Sequence, residues 1–116
     1  MGLFTIAEIV ILPFPYSDLS VSKLRPALIL TNINNDDYIM VQITSKSYDD
    51  KYSIKISNDD LSSGNLMNDS YVKFSKIFTA NKQIITKSIG KLKFEKYSTI
   101  ILSLIDLLKR NLNLNK

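Results

Sequence analysis

Histidine and cysteine are both absent from this chain of 116 residues. Their absence removes the imidazole general base, the thiolate nucleophile, the Ser-His and Cys-His pairs and every zinc site built on Cys ligands. The three glycines are too few and too scattered for a G-x-G-x-x-G or P-loop phosphate cradle. What remains is chemistry done by fixed charge and by hydroxyls. Of the fifteen basic residues only Arg25 and Arg110 are arginine. Arg25 lies beside Pro26 at the head of an apolar run, where its planar fork could present paired N–H donors to a phosphate or carboxylate. Thr44 and Ser45 place two hydroxyls where another apolar run becomes a polar loop, ITSKSYDD. Taken singly, an arginine is more often solvated, and strand-end hydroxyls more often cap the backbone than catalyse. The acidic pairs Asp36-Asp37, Asp49-Asp50 and Asp59-Asp60 lack EF-hand spacing and read as solvated turns, so no metal and no cofactor is assigned.

The elements that must position these groups are mostly strands. Thr5 to Leu12, rich in Ile and Val, reads as a strand ended by Pro13 and Pro15. The segment PFPYSDLSVSK that follows reads as a long polar loop, a place where function often resides. Arg25 to Thr31 and Tyr38 to Thr44 form two more strands joined by the turn-rich run Asn32 to Asp37, which makes a hairpin. Tyr52 to Ile56 and Tyr71 to Thr79 alternate as half-buried strands, with a turn-rich connection around Asp59 to Gly64, and Ile84 to Leu92 supplies a last short strand. From Phe94 to Lys109 the apolar residues recur at helical spacing, which predicts an amphipathic helix. The predicted fold is α+β but mainly β, a small bent barrel of five to seven strands closed by a C-terminal helix.

Register ties the chemistry to the fold. Pairing Thr31 with Tyr38 puts Leu30, Leu28 and Pro26 opposite Ile39, Val41 and Ile43, an apolar face. The other face pairs Ile29 with Met40, Ala27 with Gln42 and Arg25 with Thr44, becoming more polar away from the turn. Strand alternation keeps Arg25 and Thr44 on one face for any even slip.

A hydrophobic content of 45% with 22% charged residues is ordinary globular composition, and one domain spanning 1–116 is expected. The net charge of +4 is compatible with a nucleic-acid partner. The first residues carry Glu8 within their apolar stretch and no basic leader, unlike a signal peptide, and no apolar run is long enough to span a bilayer, so a cytoplasmic protein is expected.

The order AEIVILPFP, polar loop, KLRPALILTN, then VQITSK resembles the MazF/PemK family of toxin endoribonucleases. The similarity is strongest from Ala7 to Lys46 and continues more loosely through SYVKFSKIFTANKQIITKSIGKL and the terminal helix. Membership implies an SH3-like barrel, a homodimer, a cognate antitoxin as partner, and metal-independent cleavage of single-stranded RNA, messenger RNA being the expected substrate. The family's R-P strand and T-S step correspond to Arg25 and Thr44, which the resemblance makes the catalytic residues.

Further contacts to RNA are expected from Phe14 and Tyr16 by base stacking and from Lys23, Lys46, Lys73 and Lys76 through phosphates. Ser17, Asp18, Ser22, Ser45 and Asn81 complete the candidate RNA-binding set. Where the family often carries a charge in the loop before the R-P strand, this chain offers Asp18, Ser20, Ser22 and Lys23. Asn81 stands where the family carries an acid. Two other functions fit the same frame: a gyrase poison of the CcdB type, and a barrel that binds RNA or antitoxin without cutting.

Overall fold

The computed structural model describes residues 4–15, 22–46 and 50–112. Tyr16, Ser17 and Asp18 lie outside the described residues, and so does most of the predicted polar loop. Seven strands, β1 (Glu8–Pro15), β2 (Ser22–Asn32), β3 (Asp37–Thr44), β4 (Ser53–Ile56), β5 (Leu61–Gly64), β6 (Ser70–Asn81) and β7 (Lys87–Leu92), precede the helix α1 (Phe94–Lys109). They form one curled sheet in the order β4-β6-β3-β2-β1-β7-β5, antiparallel at every pairing. This half-barrel with one C-terminal helix is the mainly-β architecture expected from the sequence.

Bulges produce the curl, because an extra residue bends a strand and increases its twist. Register shifts fall between Ile9 and Val10, between Ile29 and Thr31, and between Val41 and Gln42. The predicted hairpin register holds for Ala27↔Gln42, Leu28↔Val41 and Ile29↔Met40, then slips, so that Thr31 faces Ile39 and Asn32 faces Tyr38. The bulge leaves Leu30 without a partner on β3. Its carbonyl accepts a hydrogen bond from the Tyr97 hydroxyl at 2.6 Å, which pins α1 to the sheet. Burial pushes the Tyr97 phenol above its ordinary pKa of 10.0.

Side chains alternate between two buried clusters. One holds Leu28, Leu30, Val41 and Ile43 under Ile100 and Leu104 of α1. The other holds Ala27, Ile29, Tyr38 and Met40 with Val10 and Leu12, and is roofed by Phe4, Phe14 and Phe78. The second cluster lies on the face expected to become more polar away from the turn, and there Ala27, Ile29 and Met40 are fully buried. The curl brings aromatic residues over that face, and full burial of a side chain such as Ile29 or Met40 gains roughly 1.5–3 kcal/mol. Polar character begins only beyond Ala27 and Gln42.

Several boundaries also differ from expectation: β1 begins at Glu8 and not Thr5, and β2 at Ser22 and not Arg25. β1 runs on through Pro13 and Pro15, paired with Leu24 and Ser22 of β2. β7 accompanies it only as far as Ile11, so among the described residues the prolines sit where β1 has no strand partner on that side, a position proline tolerates. The Asp59 to Gly64 stretch contains a 3-10 turn and the strand β5, which has no alternating pattern to announce it. β7 begins at Lys87, after a second 3-10 turn at Lys82–Ile84. No helix among the described residues is long and apolar enough to cross a membrane.

Candidate active site

Two residues beyond the last β2–β3 pair, Ala27↔Gln42, stand Arg25 on one strand and Thr44 on the other. Arg25 is held from its other side by pairing with Leu12, and Thr44 by pairing with Tyr71. Both are half-buried and both line one groove of about 310 Å³ at the open end of the curled sheet. Ser45 lines it as well. The Thr44 Oγ1 accepts the backbone N–H of Lys46 at 3.2 Å, which fixes its direction at the strand end and leaves its own proton available to donate. The groove is thus lined both by a cation with a planar fork and by an oriented hydroxyl, group types that bind phosphates.

The opposite wall comes from the connection between β5 and β6. Leu66, Met67, Asn68 and Ser70 line the groove there. The Asn58 side chain holds this loop at two points: its amide accepts from Leu66 N at 2.7 Å and donates to Leu66 O at 3.1 Å. Ser70, a buried hydroxyl, donates to the Asn68 carbonyl at 3.0 Å. At its base the loop leaves β5 through Gly64, whose φ of +83° suits glycine.

A larger depression of about 370 Å³ lies between Lys51, Tyr52, Phe74 and the end of α1. Its arginine is engaged: Arg110 Nη1 donates to the Tyr52 hydroxyl at 3.0 Å, and this bond, ahead of nearby lysine charge, lowers the Tyr52 pKa from 10.0. Asp106 also lines it, so the mixed charge and the helix C-terminus favour a structural clasp over an anion site.

Comparison with known proteins fixes the family. Residues 6–108 match the family described as PemK-like, MazF-like toxin of type II toxin-antitoxin system. The chain belongs to that family. Among solved structures, an endoribonuclease from mycobacterial species is 18% identical, with a TM-score of 0.70 and 93% of each chain covered. A mycobacterial endoribonuclease in complex with its cognate antitoxin is 16% identical, with a TM-score of 0.72, covering 90% of this chain and 94% of that one. The MazE-MazF structure from Deinococcus radiodurans is 14% identical, with a TM-score of 0.73, covering 93% and 97%. At these identities the likeness is one of fold. No curated protein is significantly similar in sequence to this chain.

Within this PemK/MazF fold the other candidate residues are dispersed. Lys46 follows the groove directly and is exposed; Lys23, two residues before Arg25, is exposed and pairs with Phe14 across β1–β2. Ser22 pairs with Pro15 at the end of that ladder. Phe14 is half-buried and packs edge-on against Phe78, ring centroids 5.0 Å apart, as part of the second cluster. Lys76 is exposed on the part of β6, between Lys73 and Ile77, that the β3–β6 bulge leaves unpaired with β3. Lys73 is drawn into an ion pair with Asp50 at 3.0 Å. Asn81 lies at the far end of the β3–β6 ladder from Thr44, opposite Asp37. Seven residues of strand, roughly 23 Å, separate those ends. Its side chain donates to Asp37 Oδ1 at 3.0 Å and accepts from Gln83 N at 2.9 Å, closing the turn into the second 3-10 segment.

Sequence reasoning missed Leu24, Asn58, Met67 and Asn68. The signal available was Leu66-Met67, two apolar residues set among Gly64, Asn65, Asn68 and Asp69, which no strand or helix period required.

Proposed function

We propose that this protein is a cytoplasmic single-domain toxin that cuts single-stranded RNA, messenger RNA in particular, and is silenced by a cognate antitoxin. The observation that carries the reading is the shared groove of Arg25 and Thr44 in a PemK/MazF chain. The substrate's own 2′-hydroxyl attacks the adjacent phosphorus and the bond to the 5′-oxygen breaks, leaving a 2′,3′-cyclic phosphate and a 5′-hydroxyl. The 2′-oxygen gives up its proton as the departing 5′-oxygen takes one up. Because the nucleophile comes with the RNA, the chain needs neither histidine nor cysteine to supply one. Arg25 stabilises the charge that develops on the phosphorane oxygens, and Thr44 donates to the same phosphate or orients the 2′-hydroxyl. A neutral threonine hydroxyl is too weak a base to take the proton. Lys23 and Lys46 add phosphate contacts beside the groove.

Two features support the partners. Antitoxin complexes occur among the structures of similar fold. Phe94, Leu102, Ile105 and Leu108 form an exposed apolar stripe along α1, a surface suited to pairing with a second copy in a homodimer. The test is incubation of the purified chain with RNA in the presence of EDTA, followed by end-group analysis. Cyclic-phosphate and 5′-hydroxyl ends support the reading. Products with 5′-phosphates, or activity restored only by added divalent metal, refute it.

A further inference from the structure

Met67 is 93% exposed and Leu24 60% exposed, and the two line the groove that contains Arg25 and Thr44. Solitary exposed apolar residues are ordinary on protein surfaces, but Met67 stands on a loop that is held in place. Asn58 clasps both backbone polar groups of Leu66, and Ser70 ties back to the Asn68 carbonyl. That scaffold holds the backbone from which Met67 and Asn68 project. The groove, about 310 Å³, is at the small end of ligand sites, which start at roughly 300 Å³. It combines apolar walls with the cationic Arg25, and exposed Lys23 and Lys46 stand nearby in sequence. A flat, apolar-faced group attached to a phosphate fits that combination better than a protein segment does.

Resting on the ribonuclease reading above, we propose that Met67 and Leu24 clamp the unpaired nucleobase next to the scissile phosphate. In this arrangement Asn68 reads its polar edge, and Asn58 is the positioning residue for the clamp. Methionine sulfur and methyl groups pack favourably on aromatic rings, and an amide offers both donor and acceptor to a base edge.

The test compares wild type, Met67→Ser and Met67→Phe in single-turnover cleavage of two oligoribonucleotides, one intact and one abasic beside the cut bond. Met67→Ser is expected to lower kcat/KM on the intact RNA about threefold to tenfold, the order of a sulfur–aromatic contact, with unchanged thermal stability. On abasic RNA wild type and Met67→Ser should be equal, and Met67→Phe should keep the preference for the intact RNA. Asn58→Ala should lose the same base-dependent part. Where wild type cuts the intact RNA, equal rates of wild type and Met67→Ser overturn the clamp, and do so in favour of a protein occupant if that variant binds antitoxin more weakly. Affinities for a 2′-O-methyl oligonucleotide, which cannot be cut, are measured in parallel. Wild type that binds this RNA at least threefold more tightly than Met67→Ser, yet cuts nothing, refutes the catalytic reading and sustains the clamp. Equal affinities overturn the clamp whatever the cleavage result.

Discussion

Replacing Gly64 by alanine should be among the most damaging single-methyl additions this fold can receive, and the loss should reach the groove. Gly64 has φ +83°, a region where an L side chain costs roughly 1–2 kcal/mol. A Cβ built there would lie 2.2 Å from both the Gly90 Cα and the Ile89 carbonyl oxygen. Those atoms belong to β7 backbone and cannot rotate away, so β5 and β7 must separate, and overpacking of this kind costs typically about 1–3 kcal/mol. The two contributions give about 2–5 kcal/mol. Gly90→Ala is the internal control. Its Cβ would meet the Ser63 carbonyl at 2.9 Å and the Gly64 Cα at 3.4 Å, a tight but more forgiving fit, so it should cost less. Urea denaturation monitored by tyrosine fluorescence gives both values from the shift in midpoint at constant slope. Because Gly64 opens the loop carrying Leu66 to Asn68, any folded Gly64→Ala protein should also cleave RNA more slowly than Gly90→Ala. A Gly64→Ala variant within about 0.5 kcal/mol of wild type, the usual range for neutral surface changes, would refute the close-approach argument. So would a larger loss in Gly90→Ala.

Further expectations follow from individual contacts. Tyr97→Phe removes the donor to the bulged Leu30 carbonyl and should cost about 1 kcal/mol in chemical denaturation, with the larger effect on the contact between α1 and the sheet seen as faster amide exchange in the helix. Asp50 accepts Tyr52 N–H at 2.8 Å, the Lys73 ammonium at 3.0 Å and the Ser53 hydroxyl at 3.2 Å. These bonds, the backbone one foremost, hold its pKa below the ordinary 3.8. With the folded pKa lowered, its contribution is complete above 3.8 and disappears as pH falls through the folded value. Stability of wild type should therefore drop on acidification through this window, and Asp50→Asn should flatten that part of the pH profile; an unchanged profile would contradict the assignment. Lys46→Ala should weaken RNA binding and lower the slope of log affinity against log salt by about 1, measurable by fluorescence anisotropy.

Much of the hairpin that carries the site was legible because its pattern is redundant: apolar residues alternate on both strands, and only an even register buries them. The three pairs from Ala27 to Ile29 follow that pattern, and Arg25 and Thr44, just beyond them, line one groove. The bulge at Leu30 was not legible, since its cause is a tertiary partner, Tyr97, sixty-seven residues away in sequence. Likewise the depth of burial on the face of Ala27 and Ile29 was not legible, because the aromatic residues packed against it, Phe4, Phe14 and Phe78, come from other strands and the chain start. β5 is four residues of LSSG, with no period to read; pairing with β7 makes it a strand. The helix was clear to its ends because sixteen residues of apolar periodicity leave little alternative. Within the site, single residues chosen for charge were visible in the sequence. The loop wall with Met67 was not, because its placement depends on Asn58 gripping a backbone eight positions away.

A double-mutant cycle on Arg25 and Thr44 bears most directly on the central claim, that the two act on one phosphate. Single-turnover RNA cleavage would be measured for wild type, Arg25→Ala, Thr44→Ala and the double variant, after circular dichroism shows all four folded. Loss of one transition-state donor should slow Arg25→Ala by on the order of a hundredfold or more. Residues that serve the same reacting group are strongly non-additive, so the double variant should be scarcely slower than the worse single one. Rate losses that simply multiply, or an Arg25→Ala protein that cuts RNA as fast as wild type, would contradict the account.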